Sequence, residues 1–123
     1  MPITLNTTLR NARATAIVTE AGATAKLSVY TASYATLLYT STCAATLGTV
    51  SGGVLTFNAV GSATAVANGT AAIARLFKTD GTTMVIEGLT VGTSGTNIVI
   101  TNTTIAVSDT VTTSSATITE GNP

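Results

Sequence analysis

"TAAIARLFKTDGTTMVIEGL", Thr70–Leu89, is the stretch on which the fold turns. Asp80-Gly81 sits between two apolar runs, which predicts a β-hairpin with a type I′ turn, because both central positions of that turn need positive φ. Counting outward from the turn, Thr79 faces Thr82, Phe77 faces Met84 and Arg75 faces Ile86. One face then carries Ile73, Arg75, Phe77, Met84 and Ile86, and the other Ala74, Leu76, Val85, Glu87 and Leu89. Both faces are mostly apolar with one embedded charge each, so the ribbon is expected to be covered on both sides. In this register Arg75 and Glu87 lie on opposite faces and take separate partners: one of the two is expected at a subunit interface, with a charge snorkelling at the sheet margin as the equal alternative.

The same period of two runs through most of the chain. In "KLSVYT" (26–31) Leu27 and Val29 alternate with Lys26, Ser28 and Tyr30. "TLLYTS" (36–41), "AATLGTV" (44–50) and "VLTFNAV" (54–60) follow, the last two joined by the turn "SGG" (51–53). "GSATAVANGT" (61–70) reads as loop. "TNIVITN" (96–102) and "TIAVSDTVTTSSATITE" (104–120) continue the alternation, with Gly92, Gly95, Asn102 and Asp109 as turn residues. Short strands at such spacing predict a mainly β domain, an antiparallel β-sandwich or small barrel over about 25–120. The first twenty residues differ. Leu5, Leu9, Ala12 and Ala16 recur at helical spacing, Asn6 or Thr7 is a candidate cap and Gly22 a candidate stop, so one N-terminal α-helix is expected over about 6–20. It either covers one end of the sheet or docks as an arm on a neighbouring subunit, with Arg10 and Arg13 on one edge. The chain of 123 residues reads as a single domain.

Composition excludes several functions. Charged residues make up 8%, five basic and five acidic, and no basic patch exists to neutralise phosphates or anionic lipid, so neither nucleic acid nor a membrane surface is an expected partner. Threonine occurs 29 times and suits a pleated, hydroxyl-wetted surface. Alanine dominates the apolar content, and a core of small side chains gains little per residue at roughly 25 cal/mol per Å². Burial against copies of itself or another protein would add to that, which points to a homo-oligomer or an assembled state. Cys43 is the only cysteine and reads as a buried thiol. "MPITLNTTLR" has no basic region followed by an apolar run, and no stretch has the length of a membrane span, so a soluble protein made in the cytoplasm is expected.

No grouping of residues proposes a reaction. Histidine is absent, which removes the usual general base and zinc ligand, and the five carboxylates show no paired spacing. "VGTSGTN" (91–97) lacks the lysine and strand–helix setting of a phosphate-binding loop. Glycosylation patterns at Asn6, Asn68 and Asn102 are expected by chance in so threonine-rich a chain. No catalytic residue, metal or cofactor is expected, and the chain reads as no enzyme.

Five segments together resemble a family of small tailed-bacteriophage virion structural proteins: "LRNARATAI" (9–17), "AKLSVYTA" (25–32), "GGVLTFNA" (52–59), "ANGTAAIARLFKTDGTT" (67–83) and the terminal "ITEGNP" (118–123). They occur in the family's order and span nearly the whole chain, which departs from the family near Ala72 and in a shorter loop at "ASYAT" (32–36). The resemblance implies a decoration, or cement, protein on the capsid exterior, made in the bacterial host cytoplasm, with the major capsid protein and copies of itself as partners. The alternatives are a tail-tube, neck or fibre-associated subunit and, ranked lower, a carbohydrate-binding β-sandwich module using Tyr30, Tyr34 or Tyr39 as a platform. Period-two alternation from Val111 to Ile118 makes "SATITEGNP" (115–123) a last strand with a short tip. Thr110–Thr119 is expected to seal a sheet, with Ile118 and Glu120 near a neighbour. The candidate interface residues are thus Arg10, Arg13, Arg75, Glu87, Ile118 and Glu120.

Overall fold

The computed structural model describes residues 6–119. Helix α1 spans Thr7–Ala21. Strands follow as β1 Lys26–Tyr30, β2 Leu37–Thr42, β3 Gly48–Ser51, β4 Val54–Phe57, β5 Ala63–Thr64 and β6 Gly69–Thr70. The remainder are β7 Ile73–Phe77, β8 Met84–Gly92, β9 Ile98–Ile100, β10 Thr104–Ile105, β11 Thr110–Val111 and β12 Thr113–Thr119. Eight of these form one sheet in the order β2-β1-β7-β8-β9-β12-β4-β3, which curls into a half-barrel. The segment read as loop, 61–70, supplies β5 and β6, which form two-stranded ribbons with β11 and β10. The expected mainly β fold with one helix is therefore the fold observed.

Two turns exchange the roles the sequence suggests for them. The two-residue turn with both central φ positive lies at Ser51–Val54, where Gly52 and Gly53 have φ of 60° and 78° and Ser51 pairs with Val54. Glycine reaches that region without a Cβ clash, so this turn closes the β3–β4 hairpin tightly. At the other hairpin Asp80 has no positive φ. Gly81 N donates to Lys78 O (2.9 Å) and Lys78 N to Thr83 O (2.9 Å), leaving a four-residue loop with only Gly81 left-handed, at φ 74°. The Asp80 carboxylate organises this loop, accepting from Thr82 N and Thr83 N (2.8 Å each) and Thr83 Oγ1 (2.6 Å). These three bonds favour the charged form, so the Asp80 carboxyl is lowered to about 2, chiefly by Thr83.

Beyond that loop, Phe77 pairs with Met84 as expected, but the count then slips. Leu76 pairs with Ile86, Arg75 with Glu87 and Ala74 with Leu89, so Val85 and Gly88 are each an extra residue on β8. These two β-bulges correct the predicted register: Arg75 and Glu87 are directly opposite each other on one face. Nor is the ribbon equally covered on both sides. Ala74, Leu76, Leu89 and Val91 are buried, whereas Met84 and Glu87 on the outer side are exposed.

The helix keeps its predicted ends and reverses its predicted face. Asn6 caps it, accepting from Leu9 N at 2.8 Å, and Gly22 N returns to Val18 O. Ala14 and Ala21 are the buried positions, with Ile17 and Val18 packed against the core. Leu9 is 45% exposed, and Ala12 and Ala16 are exposed as well, so the described part of the predicted stripe faces outward. Ala12 and Ala14 differ by about 200° around a helix of 3.6 residues per turn. What selects the Ala14 face is the docking of α1 on β3 and β4, where Gly53 N donates to Asn11 Oδ1 at 2.7 Å. The Lys78–Glu20 ion pair (3.0 Å) ties the helix's last turn to the end of β7.

All neighbouring strands in the large sheet run antiparallel except β8 and β9. Parallel neighbours ordinarily need a crossover of a dozen or more residues. Here residues 93–97 suffice because the overlap is only Val91 with Ile98 and Gly92 with Val99. Asn97 fastens this short link. Its Oδ1 accepts from Thr90 N and Thr90 Oγ1 (3.0 Å each), its N–H donates to Thr90 Oγ1 (3.0 Å) and its Nδ2 to Thr117 O (3.2 Å). Thr117 N in turn donates to Asn97 O (2.8 Å). One residue thereby joins β8, β9 and β12.

Candidate functional site

The bulges in β8 assemble the most distinctive surface of the molecule. Ser28 on β1 lies opposite Arg75 on β7, Tyr30 opposite Ile73, and Glu87 opposite Arg75 from the other side. Arg75 Nε donates to Glu87 Oε2 at 3.3 Å, with the two side chains 31% and 50% exposed. The Arg75 guanidinium lies 3.8 Å from the centroid of the Tyr34 ring and 5.3 Å from that of Tyr30. The two rings meet edge to face, with centroids 5.4 Å apart at 76°. An arginine over tyrosine faces gains from the ring quadrupole, by about 0.5–1 kcal/mol at exposed sites.

Tyr34 reaches this position through an unusual backbone. It lies in the short 3₁₀ turn Ala32–Tyr34, and both Ser33 and Tyr34 are left-handed, at φ 59° and 58°. Such conformations cost of order 1–3 kcal/mol for residues other than glycine and persist where surrounding contacts enforce them. Here the contacts are the Arg75 stack and a hydrogen bond from Gly88 N to Tyr34 Oη at 2.8 Å. Gly88 is the bulged residue, so its N–H is left out of the ladder with β7, and the tyrosine hydroxyl takes it. Loop 31–36 is thus held onto the outer face of the sheet by a cation, a ring and the bulge itself.

Two of the six candidate interface residues, Arg75 and Glu87, come together in this cluster. Arg10 and Arg13 are on α1, where the Arg10 guanidinium lies against Gly53. Ile118 is corrected: it is 7% exposed, pairs with Leu55 and belongs to the core, so its side chain is no surface contact. Its strand is interior to the sheet, where it pairs with both β9 and β4 and so joins them. Glu120 and the tip 120–123 lie outside the described residues. The sequence reading missed the association of Tyr30 and Tyr34 with Arg75. The signal for it was Gly88, a glycine inside a strand pattern, which marks a bulge and hence a change of register.

Of the three tyrosines weighed as a carbohydrate platform, burial removes Tyr39. Tyr39 is 1% exposed, with its phenol pushed up to about 12 by burial, and the Tyr34 ring is covered by Arg75 with its hydroxyl engaged. Cys43 is buried as expected. Desolvation raises its thiol to about 11, with the charge of Lys26 acting in the opposite sense.

A second concavity, of about 140 Å³, lies between the two small ribbons. Ile105 and Val111, both buried, line it together with Asn102, Thr104, Asp109 and Thr110. Among the described residues no three His, Cys, Asp or Glu side chains are grouped to hold a metal ion, and no helix is long and apolar enough to cross a membrane. No protein-family model matches the chain, and comparison with curated proteins and with solved structures finds no match either.

Proposed function

We propose that this chain is a structural virion protein of a tailed bacteriophage, a decoration protein that binds the outer surface of the capsid and stabilises the shell. The observation that carries the reading beyond the sequence resemblance is the Tyr30–Tyr34–Arg75–Glu87 cluster. Arginine and tyrosine are the side chains most enriched at energetic centres of protein interfaces. This chain has three of each, and one arginine and two tyrosines converge on a single outer patch. The patch is pre-organised, since the strained loop and the stacked guanidinium are already in place, which reduces the ordering cost of association. Mechanism is then mass action: a ligand that binds only the assembled shell stabilises it by RT ln(1 + [L]/Kd) at each of many sites.

The test mixes purified protein with expanded heads that lack it. Saturable binding, with a rise in the disassembly temperature of the heads, is expected. Arg75→Ala and Tyr34→Ala should lower occupancy while the far-UV circular dichroism spectrum is retained. Protein that ignores heads yet co-purifies with tails would overturn the reading. The alternative of a tail-tube, neck or fibre-associated subunit draws on β3, an end strand of the sheet that can pair with another chain, whereas the outer edge of β2 is taken by Gly61 N on Thr42 O and Val66 N on Leu38 O. Rings or tubes formed by the isolated protein in electron micrographs would favour that alternative.

A further inference from the structure

Asn68-Gly69 is the one Asn-Gly step in the chain. An asparagine before glycine is unusually open to attack from its own backbone, because no side chain screens the glycine nitrogen from the asparagine amide carbon. The fold needs this glycine for a different reason. A Cβ at position 69 would lie 2.6 Å from Thr31 Cγ2 and 3.2 Å from Leu38 Cδ2, so packing leaves no room for a side chain. Close packing thus fixes a reactive pair at the start of β6.

Hydrogen bonds occupy both reacting groups in the folded chain. Val107 N donates to Asn68 Oδ1 at 2.8 Å, which draws the amide group across to the turn Ala106–Asp109. Ala71 N donates to Thr103 O at 2.8 Å, and bonded pairs alternate along an antiparallel ladder. Gly69, opposite Ile105, is therefore the next residue whose N–H the ladder takes. The ribbon is only two residues long on each side, Gly69–Thr70 on Thr104–Ile105, and Asn68 is exposed to water. So short a ribbon opens locally more often than the large sheet does, and each opening frees the amide and Gly69 N together.

We infer that Asn68 is a site of spontaneous deamidation, gated by opening of the β6–β10 ribbon. In the open state hydroxide takes the Gly69 N–H proton and the nitrogen attacks Asn68 Cγ. The new C–N bond closes a succinimide ring, the Cγ–Nδ2 bond breaks, and Nδ2 leaves as ammonia after taking a proton from water. Water then opens the imide at either carbonyl, giving aspartate or isoaspartate with no change of oxidation state. Opening at the α-carbonyl leaves isoaspartate, whose backbone is a methylene longer. That path cannot set an oxygen on Val107 N and Gly69 opposite Ile105 at once, so a transient opening becomes a lasting one. Asn11, Asn58, Asn97 and Asn102 precede residues with side chains, where a Cβ screens the attacking nitrogen. The site is distinct from the tyrosine–arginine patch and does not depend on capsid binding.

The experiment incubates the full chain at mildly alkaline pH, native and in urea. Anion exchange follows the species that gains a negative charge, and peptide mapping with electron-transfer fragmentation locates it and separates isoaspartate from aspartate. Conversion at Asn68 ahead of every other asparagine is expected, slower in the native protein than in the unfolded one. Val107 is the second residue of a turn closed by Asp109 N on Ala106 O, and the third, Ser108, is left-handed at φ 74°. That is the type II pattern, whose second position suits proline. Val107→Pro therefore keeps the turn and removes the donor to Asn68. With far-UV circular dichroism unchanged, it should raise the native rate severalfold, up to about tenfold, the worth of one hydrogen bond as a population ratio. Asn68→Gln should abolish the acidic species. The inference is overturned if Asn68 stays intact while another asparagine converts, if native and unfolded protein convert at the same rate, or if Val107→Pro converts as the wild type does.

Discussion

Asn97→Ala tests whether one side chain holds the parallel junction of the sheet. The substitution deletes three hydrogen bonds: two in which Oδ1 accepts from Thr90, in exposed surroundings, and one from Nδ2 to Thr117 O, partly buried. A net hydrogen bond contributes about 0.5–1.5 kcal/mol, with exposed ones at the low end. Taking about 0.5 for each Thr90 bond and about 1 for the Thr117 bond gives a loss of about 2 kcal/mol. For a domain of this size that lowers the melting temperature by roughly 8 °C. Urea unfolding followed by far-UV circular dichroism should show a lower midpoint with an unchanged slope. Thr90→Val removes part of the same network, so the double variant should lose less than the sum of the single losses. A single variant within 0.5 kcal/mol of wild type, or strict additivity in the cycle, would refute the assignment of Asn97 as the fastener.

Asp80 should give an acid-dependent contribution. Its carboxyl lies at about 2 when folded against an ordinary 3.8, so its stabilisation is present above about pH 4 and is lost as pH falls through about 2. The melting-temperature gap between wild type and Asp80→Ala should therefore narrow from pH 5 to pH 2, and a constant gap would contradict it. Cys43 is buried with its thiol raised to about 11, so thiol reagents at pH 8 should modify it only in denaturant; rapid labelling of native protein would show otherwise. The buried hydroxyl of Tyr39 has no hydrogen-bond partner among the described residues. Tyr39→Phe should therefore leave stability unchanged or raise it by up to about 1 kcal/mol, as measured by urea unfolding, and a loss above 1 kcal/mol would reveal a partner.

What the sequence conveyed follows from which signals are local. The ends of α1 were readable because Asn6 and Gly22 act on their own immediate backbone, and β1 was readable because Leu27 and Val29 alternate on its core face, although Ser28 between them is buried as well. The helix face was misread because both sides of α1 carry small apolar residues. Only the docking of Asn11 on Gly53, 42 positions along the chain, selects between them. The candidate site failed for a related reason. Counting a register outward from a turn assumes strict period two, and each bulge breaks that assumption by one residue. A single slip at Val85 was enough to set Glu87 opposite Arg75. Tyr34 joins them through a left-handed backbone that no propensity favours.

The place of β12 bears on how the chain is made. It is the last strand in sequence among those described, yet it lies sixth of eight in the sheet, between β9 and β4. During synthesis the run β2-β1-β7-β8 and the hairpin β3–β4 can each form behind the ribosome. Neither is joined to the other through the sheet until Thr113–Thr119 has emerged and slotted between them. A chain terminated early presents raw strand edges on β9 and β4, the features that promote aggregation and attract proteolysis. The sheet is thus completed only once Thr113–Thr119 has been translated, and a message interrupted before that point yields fragments with open strand edges.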